Sequence, residues 1–269
     1  MSEPKHLPDR AVIRLSGEAR RSFLQGIITQ DMDRLAPGAA IFSALLTPQG
    51  KILADFFVVE TDDALFIDCD TANAPTLTKR LTLYKLRAKV SIDSDESLCV
   101  LAGDTKPSIE CATSYLDPRH AKLGWRMIAS SDEVKPASEY EAKRIAAGVP
   151  EFGKDFGPDE TFLLDVNYDA LNAVSYKKGC FIGQEVSSRM KRKGEARRRT
   201  LIAEFSGPAP GKGAEVTAGE TRLGELMSGA GNLALASIRM DRWQKAAAEN
   251  APIECGGNAL HLRVPEYLE

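Results

Sequence analysis

The chain has 269 residues, of which 43% are hydrophobic and 27% are charged, and its formal net charge is −3. This composition is ordinary for a globular protein, and the length allows one large domain or two to three small ones. The slight negative charge argues against a protein that coats nucleic acid through bulk charge, and no apolar run reaches the roughly 18 residues of a membrane span.

The cysteine pattern indicates reduced thiols. Five cysteines are scattered along the chain without a C-x-x-C pair: Cys69, Cys99, Cys111, Cys180 and Cys255. This spacing does not predict a zinc site or a four-cysteine cluster, so we expect no metal held by this chain alone. The N-terminus is polar and lacks the apolar core of a secretion signal. We therefore expect a cytoplasmic protein.

The first hundred residues predict an antiparallel α+β domain. Strands are expected at residues 11–15, 40–46, 52–60, 65–68, 88–93 and 98–101, and helices at 18–26 and 71–86. Pro48-Gln49-Gly50 predicts the tight turn of a β-hairpin between the strands at 40–46 and 52–60. This order of elements favours an antiparallel α+β arrangement over a wound parallel sheet.

Asp55 interrupts an apolar strand. Alternate residues of a strand point to opposite faces, and the neighbours of Asp55 on both faces of 52–60 are apolar. A carboxylate in this position is either structural, exposed at a strand edge, or located in a pocket where it binds a ligand.

The middle of the chain contains a second candidate carboxylate. A strand is expected at 125–129, and a capping box at Ser138 predicts a helix that ends before Gly148. After a glycine-rich loop at 151–159, Glu160 has two interpretations. It is an acid in the first turn of a helix, where the helix dipole favours it, or an acceptor for a ligand.

Residues 177–185 read Lys-Lys-Gly-Cys-Phe-Ile-Gly-Gln-Glu and contain one thiol, Cys180, between two glycines. Gly179 and Gly183 permit backbone angles that other residues avoid, and they allow close approach of a ligand or another backbone. The polar run from Gln184 to Lys193 predicts a helix that begins directly after the loop.

Basic neighbours and the start of this helix favour the thiolate form of Cys180, so we expect it to ionise more readily than a free cysteine. Lys177, Lys178 and Arg189 supply the positive charge. Cys180 is therefore a candidate nucleophile or transient metal ligand. The alternative is a small buried hydrophobic residue, which is the usual role of a single cysteine.

A basic run follows the cysteine motif, since seven of the eleven residues from Arg189 to Arg199 are Lys or Arg. Three interpretations remain open. The run is a solvated helix face and linker, a dock for the acidic tail of a ligand, or an RNA-backbone contact that weakens with salt. It contains no aromatic residue, which argues against stacking on single-stranded RNA.

The C-terminal part predicts a small β-barrel or sandwich. Short strands recur near 201–205, 215, 223–228, 233–239, 253–255 and 260–264, with turn signals between them and one helix at 241–249. We place the domain boundary at 195–207. Residues 1–195 then form an α+β region of one or two interlocked subdomains, and residues 200–269 form the barrel domain.

The string from Lys178 to Glu185 resembles the signature of the YgfZ family, folate-binding proteins related to iron–sulfur metabolism and to the aminomethyltransferase (T-protein) of the glycine cleavage system. Weaker similarities lie at residues 15–31, 83–90 and 158–160. The resemblance implies a T-protein-like multidomain fold. It also implies a site for tetrahydrofolate or a derivative formed by Asp55, Glu160, Lys178, Gly179, Gly183, Gln184, Glu185 and Arg189.

The family further implies a factor for maturation or repair of iron–sulfur proteins, in which Cys180 is the essential redox thiol or a transient ligand of a cluster shared with a partner. A-type iron–sulfur carrier proteins and [4Fe–4S] client enzymes, including one that modifies tRNA, are the implied partners.

The first alternative is a folate-dependent aminomethyltransferase. It is weakened because Ala54 replaces one of the two acids that T-proteins have in this hairpin. The second is an RNA-binding or tRNA-modification accessory protein. We expect Asp55, Glu160 and the Cys180 loop to converge on one cavity.

Overall fold

The computed structural model of this chain describes residues 4–106, 110–130, 139–194 and 196–269. These residues form two antiparallel sheets, a closed β-barrel and helices that pack against them. The predicted α+β class with a C-terminal barrel is confirmed. None of the helices in these ranges is long and apolar enough to cross a membrane.

Two sheets make up the first part of the chain. Their strands are β1 (Lys5–His6), β2 (Arg10–Ser16), β3 (Ala40–Leu46), β4 (Ile52–Glu60), β5 (Ala64–Asp70), β6 (Ser91–Ser94), β7 (Leu98–Gly103), β8 (Thr113–Leu116) and β9 (Trp125–Ser130). The helices between them are α1 (Arg20–Gln25), α2 (Ala74–Lys85) and α3 (Tyr140–Ala146). One sheet has the strand order β3-β4-β5-β2-β6 and the other β1-β7-β9-β8.

The predicted hairpin is confirmed at the predicted bounds of β3 and β4, and Gly50 in its turn has a φ of 86°. The strands expected at 88–93 and 98–101 form, but they belong to different sheets. β6 pairs with β2, whereas β7 pairs with β9. An apolar pattern determines that a segment is extended, but it does not select the partner strand. The predicted helix cap Ser138 lies outside the described residues.

A buried ion cluster joins the two sheets. Asp68 on β5 is fully buried and accepts hydrogen bonds from Arg10 of its own sheet at 2.7 Å and from Arg126 of the other sheet at 2.6 Å. The hydroxyl of Tyr115 on β8 donates to the same carboxylate at 3.0 Å. The two guanidinium groups keep the pKa of Asp68 below its usual value despite its burial. Opposite charges from both sheets therefore neutralise each other at the interface.

The cysteine motif leads into α4 (Gln184–Arg192) and then into the barrel. Its strands are β10 (Arg198–Phe205), β11 (Glu215–Ala218), β12 (Thr221–Ala230), β13 (Leu233–Arg239), β14 (Ile253–Cys255) and β15 (Asn258–Arg263), with α5 (Met240–Ala248) after β13. Pairing of β15 with β10 closes the barrel, so no strand edge is left open. Asp155 joins the barrel to the first part of the chain, because it binds both Arg144 at 2.6 Å and the amide of Ser228 at 2.9 Å.

Candidate functional site

Cys180 is exposed on the loop that precedes α4. All five cysteines lie in the described residues and none forms a disulfide. Cys69, Cys99 and Cys255 are buried and Cys111 is half-buried, so Cys180 is the exposed thiol of the chain. The interpretation of Cys180 as a buried hydrophobic residue is therefore wrong. A reagent or a partner reaches this sulfur without any rearrangement of the fold.

Gly183 fixes the end of the Cys180 loop against the β3–β4 hairpin. Its φ is 78°, and a Cβ atom at this position would lie 2.6 Å from the backbone oxygen of Thr47. Gly50 faces it from the hairpin turn, where a Cβ atom would lie 2.9 Å from Cβ of Val186 on α4. Only glycine at both positions allows the turn and the N-terminus of α4 to come this close.

Gly179 has a different environment, because its φ is not positive and a Cβ atom there would meet nothing within 4 Å. The fold does not require glycine at this position. The open space next to Cys180 is consistent with the predicted close approach of another molecule.

Lys178 supports the loop from beneath. Its ammonium group donates to the backbone oxygens of Ile28 at 2.7 Å and Gln30 at 2.9 Å, and lies 5.6 Å from the ring centroid of Phe181. The residue is only 6% exposed, and this burial lowers the pKa of its ammonium group to about 8. Lys178 therefore points into the protein and connects the loop to the segment after α1.

The helix predicted after the motif is present, and it presents two of the candidate residues to solvent. Gln184 is half-buried in the first turn of α4, whereas Glu185 and Arg189 are exposed. Within the described ranges neither charged side chain has an ion-pair partner within 4.0 Å. Glu185 and Arg189 thus contribute to a surface and not to the internal support of the loop.

Asp55 lies inside the five-stranded sheet and is 1% exposed. The strand-edge interpretation is wrong, because β4 pairs with β3 on one side and β5 on the other. Its Oδ2 accepts from the Tyr168 hydroxyl and from the Phe152 amide at 3.3 Å. Its Oδ1 has no hydrogen-bond partner among the described residues and lies 3.9 Å from Arg10. Burial raises the pKa of this carboxyl group.

Glu160 is exposed in a turn and accepts a hydrogen bond from the Gly157 amide at 2.7 Å. No helix starts here, so the interpretation as a first-turn helix acid is wrong. Glu160 lines a cavity of about 320 Å³ between this loop and the barrel. Neither Asp55 nor Cys180 lines this cavity, so the three residues do not meet there as expected.

The groups around this cavity fit a pterin ring. Phe156, Phe162 and Met227 supply apolar walls, and Glu160 and Asp165 supply carboxylates that can accept the N–H groups of the ring edge. Burial raises the pKa of Asp165. The volume lies at the lower end of the range of ~300–1,000 Å³ for small-molecule sites.

The β3–β4 hairpin contacts both candidate sites. Next to its turn, the Lys51 ammonium donates to the backbone oxygen of Asp159 at 2.8 Å, and the Ile52 amide donates to Thr161 at 2.9 Å. These contacts fix the Glu160 loop, while Gly50 contacts the start of α4. The turn therefore determines the position of Glu160 on one side and of the Cys180 loop on the other.

Sequence reasoning missed the buried polar network that extends from Asp68 toward Asp55. Arg119 is buried and binds Asp117 at 2.8 Å, the Tyr140 hydroxyl at 2.6 Å and Glu151 at 3.4 Å. One available signal was Asp68 itself, since it ends an apolar run in the same way as Asp55 interrupts one.

The fold places the chain in a structural class. It superposes on the crystal structure of glycine cleavage system aminomethyltransferase T from Bartonella henselae with a TM-score of 0.75, covering 97% of this chain and 85% of that chain at 16% identity. An aminomethyltransferase-T fold is therefore shown. Residues 197–269 also match the family model described as CAF17, C-terminal beta-barrel domain.

Sequence relatives identify the family within this class. The chain is 30% identical to mouse "Iron-sulfur cluster assembly factor IBA57, mitochondrial", covering 87% of this chain and 77% of the relative. The human protein of the same name is 28% identical, with 97% of this chain and 84% of the relative covered. The chain belongs to the IBA57 family.

The prediction of a cytoplasmic protein is contradicted by these relatives, which are mitochondrial by name. That prediction used the scattered cysteines and the polar N-terminus. Unpaired thiols indicate that cysteines are reduced, but they do not distinguish one reducing compartment from another.

We predict that Gly183→Ala lowers the free energy of unfolding by about 1–3 kcal/mol, because the new Cβ atom requires a strained positive φ and meets the Thr47 carbonyl. Urea denaturation measures the change. Gly179→Ala is the matched control and should change stability by less than about 0.5 kcal/mol. Equal losses in the two variants would contradict the role of the hairpin contact.

We predict a pH effect that depends on Lys178. Its pKa falls from 10.5 to about 8 on folding, so between these values the unfolded chain binds a proton that the folded chain has released. The contribution of Lys178 to stability should therefore rise as the pH increases from about 8 toward 10.5. Urea denaturation over this range should show the wild type gaining stability relative to Lys178→Met. Exposed Lys177→Met serves as the control, and the idea fails if it gives the same pH slope as Lys178→Met.

Proposed function

We propose that this chain is an assembly factor for maturation or repair of iron–sulfur proteins, and that it presents Cys180 to a partner. The observation that carries the proposal is an exposed thiol on a loop that is fixed from beneath by Lys178 and at its end by Gly183. The names of the mouse and human relatives support the same class of function.

The chemistry requires a second protein. A thiolate is a good iron ligand, but a cluster needs about four ligands, and one exposed cysteine provides only one of them. Cys180 would act as a transient ligand of a cargo cluster, or as a redox thiol, while the partner supplies the other ligands. A-type iron–sulfur carriers and [4Fe–4S] client enzymes have the required chemistry, and a tRNA-modifying enzyme is one such client implied by the YgfZ resemblance.

We further propose that tetrahydrofolate or a derivative binds in the cavity of Glu160. Bound tetrahydrofolate carries one-carbon groups. Glu160 and Asp165 would accept hydrogen bonds from the pterin, and the apolar walls would exclude water from its faces. Asp55 does not line this cavity and would not contact the pterin there, but its Oδ1 has no hydrogen-bond partner in the described ranges and can accept one more donor at a separate position.

A folate-dependent aminomethyltransferase is the second candidate, favoured by the TM-score of 0.75 with the aminomethyltransferase fold. Against it, Ala54 occupies one position of the expected acid pair, and Asp55 is buried. An aminomethyl-transfer assay with glycine-cleavage components separates the two candidates, since turnover would favour the enzyme.

We predict that Cys180→Ala abolishes rescue of a [4Fe–4S] enzyme in cells that lack the native gene. Aconitase activity under oxidative stress measures the rescue, and it should fall to the level of the empty vector because the exposed thiol is lost. Half-buried Cys111→Ala is the matched control and should restore activity. Full rescue by a folded Cys180→Ala protein would show that the thiol has no role.

We predict that Glu160→Gln weakens tetrahydrofolate binding about tenfold, because a hydrogen bond to a carboxylate contributes ~1.5–3 kcal/mol and one to the neutral amide oxygen only ~1 kcal/mol. Calorimetry under anaerobic conditions measures the dissociation constant. Glu254→Gln on the barrel surface, outside this cavity, should leave it unchanged. Binding that is insensitive to Glu160→Gln would place the folate elsewhere or exclude it.

A further inference from the structure

The run after the cysteine motif contains positive charges that form no ion pair with any carboxylate among the described residues. Two of its cations, Lys191 and Arg199, form ion pairs with Asp169. Five exposed cations in or near this run have no carboxylate within 4.0 Å in the described ranges: Lys177, which precedes Cys180, and Arg189, Arg192, Lys193 and Arg197. We call these five residues the basic strip.

Repulsion between like charges in the basic strip offsets the favourable interaction of cations with the C-terminal end of α4. Arg189, Arg192 and Lys193 are three and four residues apart, so their like charges lie next to each other at the end of α4 and repel. Among the described residues of α4, Glu185 is the one acid, and it is exposed. In a chain of net charge −3, this local excess of positive charge is best explained by a negatively charged partner.

The position of the strip relative to the thiol is fixed. α4 begins at the Gly183–Gly50 contact and packs through buried Ser187, whose hydroxyl lies 3.4 Å from that of Tyr176. A helix of nine residues is about 13 Å long. Cys180 therefore precedes the N-terminal end of α4, whereas Arg189, Arg192 and Lys193 lie toward its C-terminal end.

The other end of the strip opens into a cleft of about 810 Å³ between the end of α4 and the barrel. Among the described residues, four cations line it: Lys193, Arg197, Arg199 and Arg239. Arg239 is paired with Asp241 at 2.7 Å, and Arg199 is paired with Asp169, whereas Lys193 and Arg197 have no such partner in the described ranges. The cleft gives room for acidic side chains to reach these two cations.

The ligand chemistry favours an acidic protein face over RNA. The residues that line the cleft include no aromatic side chain among those described, and the basic strip has none, so bases have no stacking platform. The exposed thiol near the strip can serve as an iron ligand. A protein partner can supply the further iron ligands, whereas RNA supplies none of the usual ones. Gly179, beside that thiol, leaves open space for the partner backbone.

We propose that the basic strip docks an acidic face of a partner protein and thereby places the partner's iron ligands next to Cys180. This inference rests on the proposed function and adds the surface and the charge of the partner. Electrostatic attraction would raise the rate of encounter and orient the partner along α4, and its effect would fall with salt.

The test uses disulfide exchange at Cys180 in the full chain with Cys111→Ser, which removes the half-buried thiol. The probes are two short peptides whose cysteine is activated as a pyridyl disulfide, one rich in glutamate and one rich in serine. The Cys180 thiolate attacks the cysteine sulfur of the peptide, the probe's S–S bond breaks, and pyridine-2-thione leaves and is followed by its absorbance. We expect the glutamate peptide to react about tenfold faster at low salt, and the ratio of rates to approach one at high salt.

Charge reversal tests the strip itself. In a triple variant, Arg189, Arg192 and Arg197 are each changed to Glu. The ratio of the glutamate-peptide rate to the serine-peptide rate should then fall to one or below. The matched control reverses three exposed cations on and after α2, Lys79→Glu, Arg80→Glu and Arg87→Glu, and should keep the wild-type ratio. If the reversed strip does not fold by urea denaturation, the same three positions changed to glutamine replace it. A ratio near one in the wild type, or the same fall in both triple variants, overturns the proposal.

Binding of an oligouridylate to the purified chain tests RNA as the alternative ligand of the basic strip. A dissociation constant below about 1 µM at physiological salt exceeds ordinary non-specific binding. If such binding is lost on reversal of the strip, RNA is the ligand and the proposal is overturned. The exchange rates are measured on the purified chain, whereas the iron–sulfur role is measured by aconitase rescue in cells. The docking proposal and the proposed iron–sulfur function are therefore tested by separate experiments, and each can fail independently of the other.

Discussion

The frame of this protein depends on one buried carboxylate. Asp68 lies at the interface of the two sheets and binds Arg10 from one and Arg126 and Tyr115 from the other. A buried charge is tolerated only when opposite charge and hydrogen bonds surround it. The two sheets are thus fixed relative to each other, and the Arg126 guanidinium lies 4.3 Å from the ring centroid of Phe57 between them.

This frame fixes the β3–β4 hairpin, and the hairpin positions both candidate sites. Its turn contacts α4 through Gly50 and Gly183, and Lys51 and Ile52, where the turn leads into β4, bind the Glu160 loop. The Cys180 loop and the proposed folate cavity are therefore two separate sites that both contact the same hairpin.

The surface chemistry around the thiol agrees with this arrangement. Lys178 points inward and supports the loop, so its ammonium group is not available to interact with the exposed sulfur or with a partner. Charge for a partner comes instead from the strip along α4. Lys178 supports the loop and Lys177 belongs to the basic strip. These two roles agree with their environments, since Lys178 is buried and Lys177 is exposed.

The sequence alone determined the local features: the β3–β4 hairpin with its Gly50 turn, the helix after the cysteine motif and the strands of the barrel. Each depends on periodicity and turn residues within about ten positions. It did not determine that β6 and β7 join different sheets, that Lys178 points inward, or that Asp55 is not among the residues that line the cavity of Glu160. Those facts depend on contacts between residues far apart in the chain, such as Lys178 with Ile28 and Asp68 with Arg126. Only the tertiary structure decided them, because burial and partner choice are properties of the packed chain and not of any short segment.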